Sequence, residues 1–181
     1  MRCMRLLAAL AMVLLMTGCD VRSLYPLYTE KDVIFEPLLL GAWKESGQGG
    51  DVWVFIRDKE DSYRVVPAAG DFVLAFEGRL VKLEGRLYLD LTVEDVPFEE
   101  YVIPAHLLVQ IELSGDKMRT AMLDDDKLKK LEELGSLKLG HMTAQVLTAL
   151  PKDLQAFVTQ HAGDGTAFSH FKEFERFDPT R

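Results

Sequence analysis

The sequence predicts a mainly β fold of the α+β kind: an antiparallel β-barrel-like or strongly curved sheet with about two C-terminal helices, behind an N-terminal signal peptide. Three observations predict it. Apolar residues recur with period two in a series of short runs between residues 51 and 123, separated by polar or glycine-containing turns. After Asp124 the spacing lengthens to three or four, as an amphipathic helix requires. At the start of the chain a short basic stretch leads into one uninterrupted apolar run that ends near a cysteine.

Arg2 and Arg5 form the basic stretch, and Leu6 to Met16 the apolar run. A membrane-crossing helix needs roughly 20 apolar residues, so this run fits the core of a secretory signal instead. Thr17 and Gly18 then place small side chains before Cys19. Met16-Thr17-Gly18-Cys19 resembles the lipobox of bacterial lipoproteins, in which the thiol is lipidated before cleavage. The resemblance implies cleavage after Gly18 and lipid attachment at Cys19. It also implies membrane anchorage in the bacterial cell envelope, facing the periplasm or the exterior. Asp20 resembles the enterobacterial signal for retention at the inner membrane; alternatively it opens a soluble linker. On this reading residues 1–18 are a signal peptide, 19–33 a lipidated N-terminus and linker, and 34–181 a single globular domain.

Cysteine and charge narrow the function. Removing the first 18 of 181 residues leaves 163, enough for one domain with a sizeable core. Cys3 leaves with the signal segment, so neither an intrachain disulfide nor a Cys-x-x-Cys metal site can form. Arg2 and Arg5 leave too, which takes the formal charge from −8 to −10. That balance argues against nucleic acid as a partner, because phosphate neutralisation needs clustered Lys and Arg. The segment from Cys19 to Ile34 spans at most roughly 50 Å if extended. It lacks Gly and carries Leu24, Tyr25, Leu27 and Tyr28 around Pro26, a composition suited to packing on the domain.

Gly41-Ala42-Trp43 resembles the Gly-x-Trp signature that opens the first strand of lipocalin-like barrels. Together with Ser23-Leu24-Tyr25-Pro26-Leu27-Tyr28, it is similar to a family of uncharacterised bacterial lipoproteins. The resemblance implies location and architecture, and no activity. Physically, Gly41 marks a close backbone approach, and Trp43 a large ring closing one end of a core.

Strands follow. In Asp51 to Arg57, Val52, Val54 and Ile56 share one face, and Trp53 and Phe55 the other. A strand apolar on both sides is either covered or lines a cavity. Tyr63 to Val66 comes next, then a strand over 72–77, with Phe72, Leu74 and Phe76 on one face. Leu80 to Leu83 and Arg86 to Val93 flank the hairpin signal Glu84-Gly85. His106 to Leu113 and Lys117 to Leu123 flank Ser114-Gly115-Asp116. Successive strands at hairpin spacing predict antiparallel pairing. One helix is expected over Leu128, Leu131 and Leu134, with Asp124-Asp125-Asp126 at its positive end and Gly135 as its cap. Another is expected over Pro151 to His161, capped by Thr148 and ended by Gly163 or Gly165. Phe168 to Phe177 reads equally as a closing strand or a short helix.

Little in the chain carries chemistry. His106, His141, His161 and His170 lack metal-ligand spacing, and no nucleophile elbow or phosphate loop is present. No catalytic residue, cofactor or metal is therefore assigned. The favoured reading is a non-catalytic domain binding a small apolar ligand inside the barrel, with Trp53, Phe55, Phe72 and Phe76 as candidate ligand contacts. The alternatives are an envelope protein-protein interaction module and an unrecognised hydrolase.

Overall fold

The computed structural model describes residues 21–47, 49–69, 72–94, 104–124, 136–138, 145–161 and 167–178. Eight strands close into an antiparallel barrel. In order around the wall they are β3 (Gly41–Glu45), β4 (Val52–Arg57), β5 (Ser62–Ala69), β7 (Phe76–Leu83), β8 (Arg86–Val93), β9 (His106–Ser114), β10 (Lys117–Leu123) and β13 (Phe168–Phe177). Pairing of β13 with β3 completes the circuit. Two short strands, β2 (Val33–Ile34) and β6 (Phe72–Val73), lie beside β7 and β5. The remaining three, β1 (Arg22–Ser23), β11 (Ser136–Lys138) and β12 (Gln145–Leu147), extend the sheet from β9 beyond the point where β10 ends.

The alternation of the sequence becomes an inside and an outside. Trp43, Trp53, Phe55, Tyr63, Val65, Leu80, Leu89, Val109, Ile111, Met118 and Phe174 pack within the barrel. On the outer wall Val81, Tyr88, Leu108 and Ala121 form a second core, covered by Val21 and Leu27 of the N-terminal segment and by α1 (Pro151–His161). Pro151 stands at the first position of α1, and Leu154, Phe157 and Val158 form its buried stripe. The Leu154 amide donates to the Leu150 carbonyl, so Leu150 holds the N-cap position and Thr148 lies outside it. The helix expected over 128–134 and the stops expected at Gly163 or Gly165 lie outside the described residues. A single helix, α1, is seen among those described.

Two expectations need correction. The strand expected over 72–77 is broken after Val73, and Phe76–Leu83 is continuous through Gly78. Gly78 is a packing position here: a Cβ would meet Val65 Cγ2 at 2.9 Å, so a larger residue would push the inner wall apart. β4, expected to be covered on its second face or to line a cavity, turns Trp53 and Phe55 into the interior, while its outer face is half-buried at Val52 and Val54 and exposed at Ile56. The ambiguous tail is a strand. Phe174 faces the interior while Phe171 and Phe177 take the outer face, so their spacing of three marks no helix; before them a bulge at His170, φ 54, shifts the register against β10 between Thr120 and Met122.

Candidate functional site: the two ends of the barrel and its strapped wall

The pairing registers place the β4–β5, β7–β8 and β9–β10 turns at one end of the barrel. A 3-10 turn, Pro37–Leu39, closes that end, with the Glu36 carboxylate accepting from the Leu38 amide at its start. The Trp43 indole Nε1 donates to the Leu39 carbonyl at 2.8 Å. Arg176, on the next strand, lies 4.1 Å above the Trp43 ring and donates to the carbonyls of Leu38 and Leu40. Gly41 has φ 109, and a Cβ there would come within 3.0 Å of Arg176 Nη1. Glycine therefore admits both the backbone conformation and the arginine. Alongside, Phe35 stacks on Tyr63 at 5.0 Å and Arg57 lies over Phe35 at 4.3 Å. The Tyr63 hydroxyl accepts from the Glu36 amide and donates to its carbonyl. Burial pushes this phenol up to about 12.

The candidate aromatics occupy successive levels above this plug. Phe55 contacts Tyr63 edge-on at 6.3 Å, and Trp53 contacts Phe55 and Phe174 at 6.2 and 5.7 Å. Phe55 is sealed at 2% exposure, while Trp53 and Phe76 each reach 8%. The Phe72 side chain lies outside the described residues, although its backbone belongs to β6. Toward this end of the barrel, inward apolar positions become accessible. Val93, paired with Phe76, and Met122, paired with Val109, face inward yet are 39% and 37% exposed. Cross-strand partners share a face, so these two continue the inner wall to the rim.

One quadrant of this rim is polar. Lys172 faces inward, paired with Thr120, and its ammonium lies 3.0 Å from Glu45 Oε2 and 3.6 Å from Asp51 Oδ2. Ser169 donates to Asp124 nearby. A separate cavity of about 230 Å³ lies by Leu113, Lys117, Met118, Glu173 and Phe174. Trp53, Phe55 and Phe76 do not border it. Its charged wall is largely self-neutralised, because Arg119 pairs with Glu112 at 2.7 Å and approaches Glu173.

The outer wall brings together residues that sequence reading did not connect. Asp90, buried on β8, accepts from the Leu27 amide at 2.7 Å and meets His106 Nδ1 at 2.6 Å. Gln155 of α1 donates to the Leu27 carbonyl and to Asp32, and Thr29 also donates to Asp32. The Thr29 and Gln155 bonds, in that order, hold the Asp32 carboxyl below its usual range. Ser23 pairs directly with His106, giving a Ser, a His and an Asp side by side. This is a strap rather than a nucleophile site: Ser23 is fully buried and its hydroxyl donates to the Tyr25 carbonyl at 2.6 Å.

Among the described residues, no group of three or more His, Cys, Asp and Glu could hold a metal ion, and no helix is long and apolar enough to cross a membrane. Compared with known proteins, the chain matches no family model, and no curated protein or solved structure matches it significantly. The residues that sequence reading missed are Arg176, Asp90, His106 as its partner, and the rim pair Val93 and Met122. Arg176 carried no local signal, since Trp43 lies over a hundred residues upstream. Val93 was legible as the end of an alternating run.

Proposed function

We propose that this protein is a lipid-anchored barrel of the bacterial cell envelope that takes a small, largely apolar ligand into the upper part of its interior. The observation that carries the ligand reading is the pair of exposed, inward-facing apolar residues Val93, beside Phe76, and Met122, beside Val109. Apolar side chains left accessible on a concave inner wall are the usual makings of such a site. The polar group of Lys172, Glu45 and Asp51 on the far quadrant suits a ligand with a polar end.

The anchor reading rests on the lipobox resemblance at Met16 to Cys19. If Cys19 carries lipid, the steps from Cys19 to Arg22, already in the sheet, span at most roughly 10 Å. The barrel would then stay close to its membrane, and two or more acyl chains would hold it there stably.

The test uses the full-length protein in phosphatidylcholine vesicles with an adamantane diazirine as apolar photoprobe. Peptides carrying Val93 and Met122 should take the label, and Val93→Asp and Met122→Asp should each reduce it severalfold. Labelling spread evenly over the surface would reject an interior site. Separately, the mass of the N-terminal peptide from membranes, against a Cys19→Ser variant in the soluble fraction, decides the anchor. An unmodified Cys19 would reject it.

A further inference from the structure

Among the described residues, Arg22 is the arginine with a fully buried side-chain nitrogen that lacks a hydrogen-bond partner. It pairs with Leu107 of β9 and Val146 of β12. Leu107 packs against the core inside the barrel, so Arg22 shares the inner face, while Val21 and Ser23 on either side turn to the outer wall. Arg22 is half-buried, and its Nε is fully buried with no hydrogen-bond partner among the described residues. Nearby rim acids have other partners: Glu45 and Asp51 hold Lys172, and Asp124 accepts from Ser169. By contrast, Arg176, Arg119 and Arg79 all bond to carbonyls or carboxylates.

Its position is set by β9. Met122 pairs with Val109 and Arg22 with Leu107, so the two are successive inward positions along one edge of that strand, roughly 7 Å apart. Leu91 lies across β9 from Arg22 at the same level, and Val93 one inward position beyond. A guanidinium whose Nε has lost water without gaining an acceptor costs stability. A carboxylate or phosphate oxygen would repay that cost through a charge-assisted, two-pronged contact.

From this placement we propose that Arg22 is the head-group site of the rim, and that the ligand is an anionic amphiphile: one carboxylate or phosphate at Arg22 and an apolar chain running over Met122 and Val93 toward Trp53 and Phe76. The inference rests on the interior-ligand reading above and adds the ligand's charge and orientation.

The deciding experiment photolabels the full-length protein in phosphatidylcholine vesicles with a diazirine fatty acid and, in parallel, its methyl ester. The acid should label the peptide carrying Met122 at least tenfold more than the ester. Arg22→Gln should remove that preference, whereas Arg22→Lys should keep a preference for the acid. Equal labelling by acid and ester in the natural protein would overturn the head-group assignment while leaving an interior site intact. Labelling of the rim by neither would overturn the interior reading and this one together. The natural protein's acid-to-ester ratio decides the matter even if Arg22→Gln does not fold. Competition then distinguishes the sources: displacement by unlabelled fatty acid assigns a carboxylate, and displacement by lysophosphatidylglycerol a phosphate. Displacement by neither overturns the proposal.

Discussion

The two ends of the barrel are built from similar residues and finished differently. At the plugged end the large inward groups are engaged: Trp43 with Leu39, Arg176 with two carbonyls and the Trp43 ring, and Tyr63 with both backbone groups of Glu36. At the rim, Val93 and Met122 remain exposed and Arg22 Nε has no partner among the described residues. Satisfied polar groups and dense packing hold the first end in one state. The second keeps surface and charge that a ligand could complete. Stability and binding should therefore separate along the barrel axis.

The sharpest break in this comparison would come from Trp43→Ala. Emptying a fully buried indole and orphaning the Leu39 carbonyl should cost about 3–5 kcal/mol, read as a lower urea midpoint with unchanged slope. A loss below 1 kcal/mol would mean that the plug does not carry the fold.

Alkaline titration probes the same end. Burial pushes Tyr63 up to about 12, and likewise Tyr88, from an ordinary value of 10. The folded state therefore holds protons that the unfolded chain has released. Stability should be flat below pH 10 and fall as pH rises toward about 12, on the order of 2 kcal/mol per tyrosine. Tyr63→Phe should flatten part of that decline in pH-dependent unfolding. An unchanged profile would contradict the buried-phenol assignment.

The strapped wall comes next. Asp90→Ala leaves the Leu27 amide and His106 without their partner and should cost about 1–3 kcal/mol. Hydrogen exchange at Leu27 should accelerate well before that of β7 and β8; uniform acceleration would show that the strap does not open alone. Tyr88→Phe is a counter-test on the same wall. The Tyr88 hydroxyl is buried without a partner among the described residues, so its removal should be neutral or stabilising by up to about 1 kcal/mol.

The smallest effect is expected at the rim. Val93→Asp and Met122→Asp, at partly exposed positions, should change stability, read from the urea midpoint, by no more than about 0.5 kcal/mol while reducing probe labelling. A large stability loss would place these side chains in the core and remove the contrast between the two ends.

Local patterns were legible wherever their cause was local. Alternation and the Glu84-Gly85 and Gly115 turns, with positive φ at all three residues, set the limits of β8, β9 and β10 to within a residue, because side-chain facing and turn chemistry depend on immediate neighbours. Pro151 and the spacing of Leu154, Phe157 and Val158 did the same for α1. The 72–77 segment failed because alternation continued across a break, and the continuity of Phe76–Leu83 rests on close packing at Gly78, which the pattern does not show.

By itself the sequence determined a mainly β chain of successive hairpins with a terminal helix, since periodicity and turn residues act over a few positions. Only the tertiary structure decided that β13 meets β3, that Arg176 covers Trp43, that Asp90 fastens Leu27, and that Arg22 turns inward beside Leu107. These contacts join residues tens to more than a hundred positions apart. They follow from closure of the barrel and from docking of the N-terminal segment on its wall, and on β13 from the bulge at His170; no local pattern encodes them.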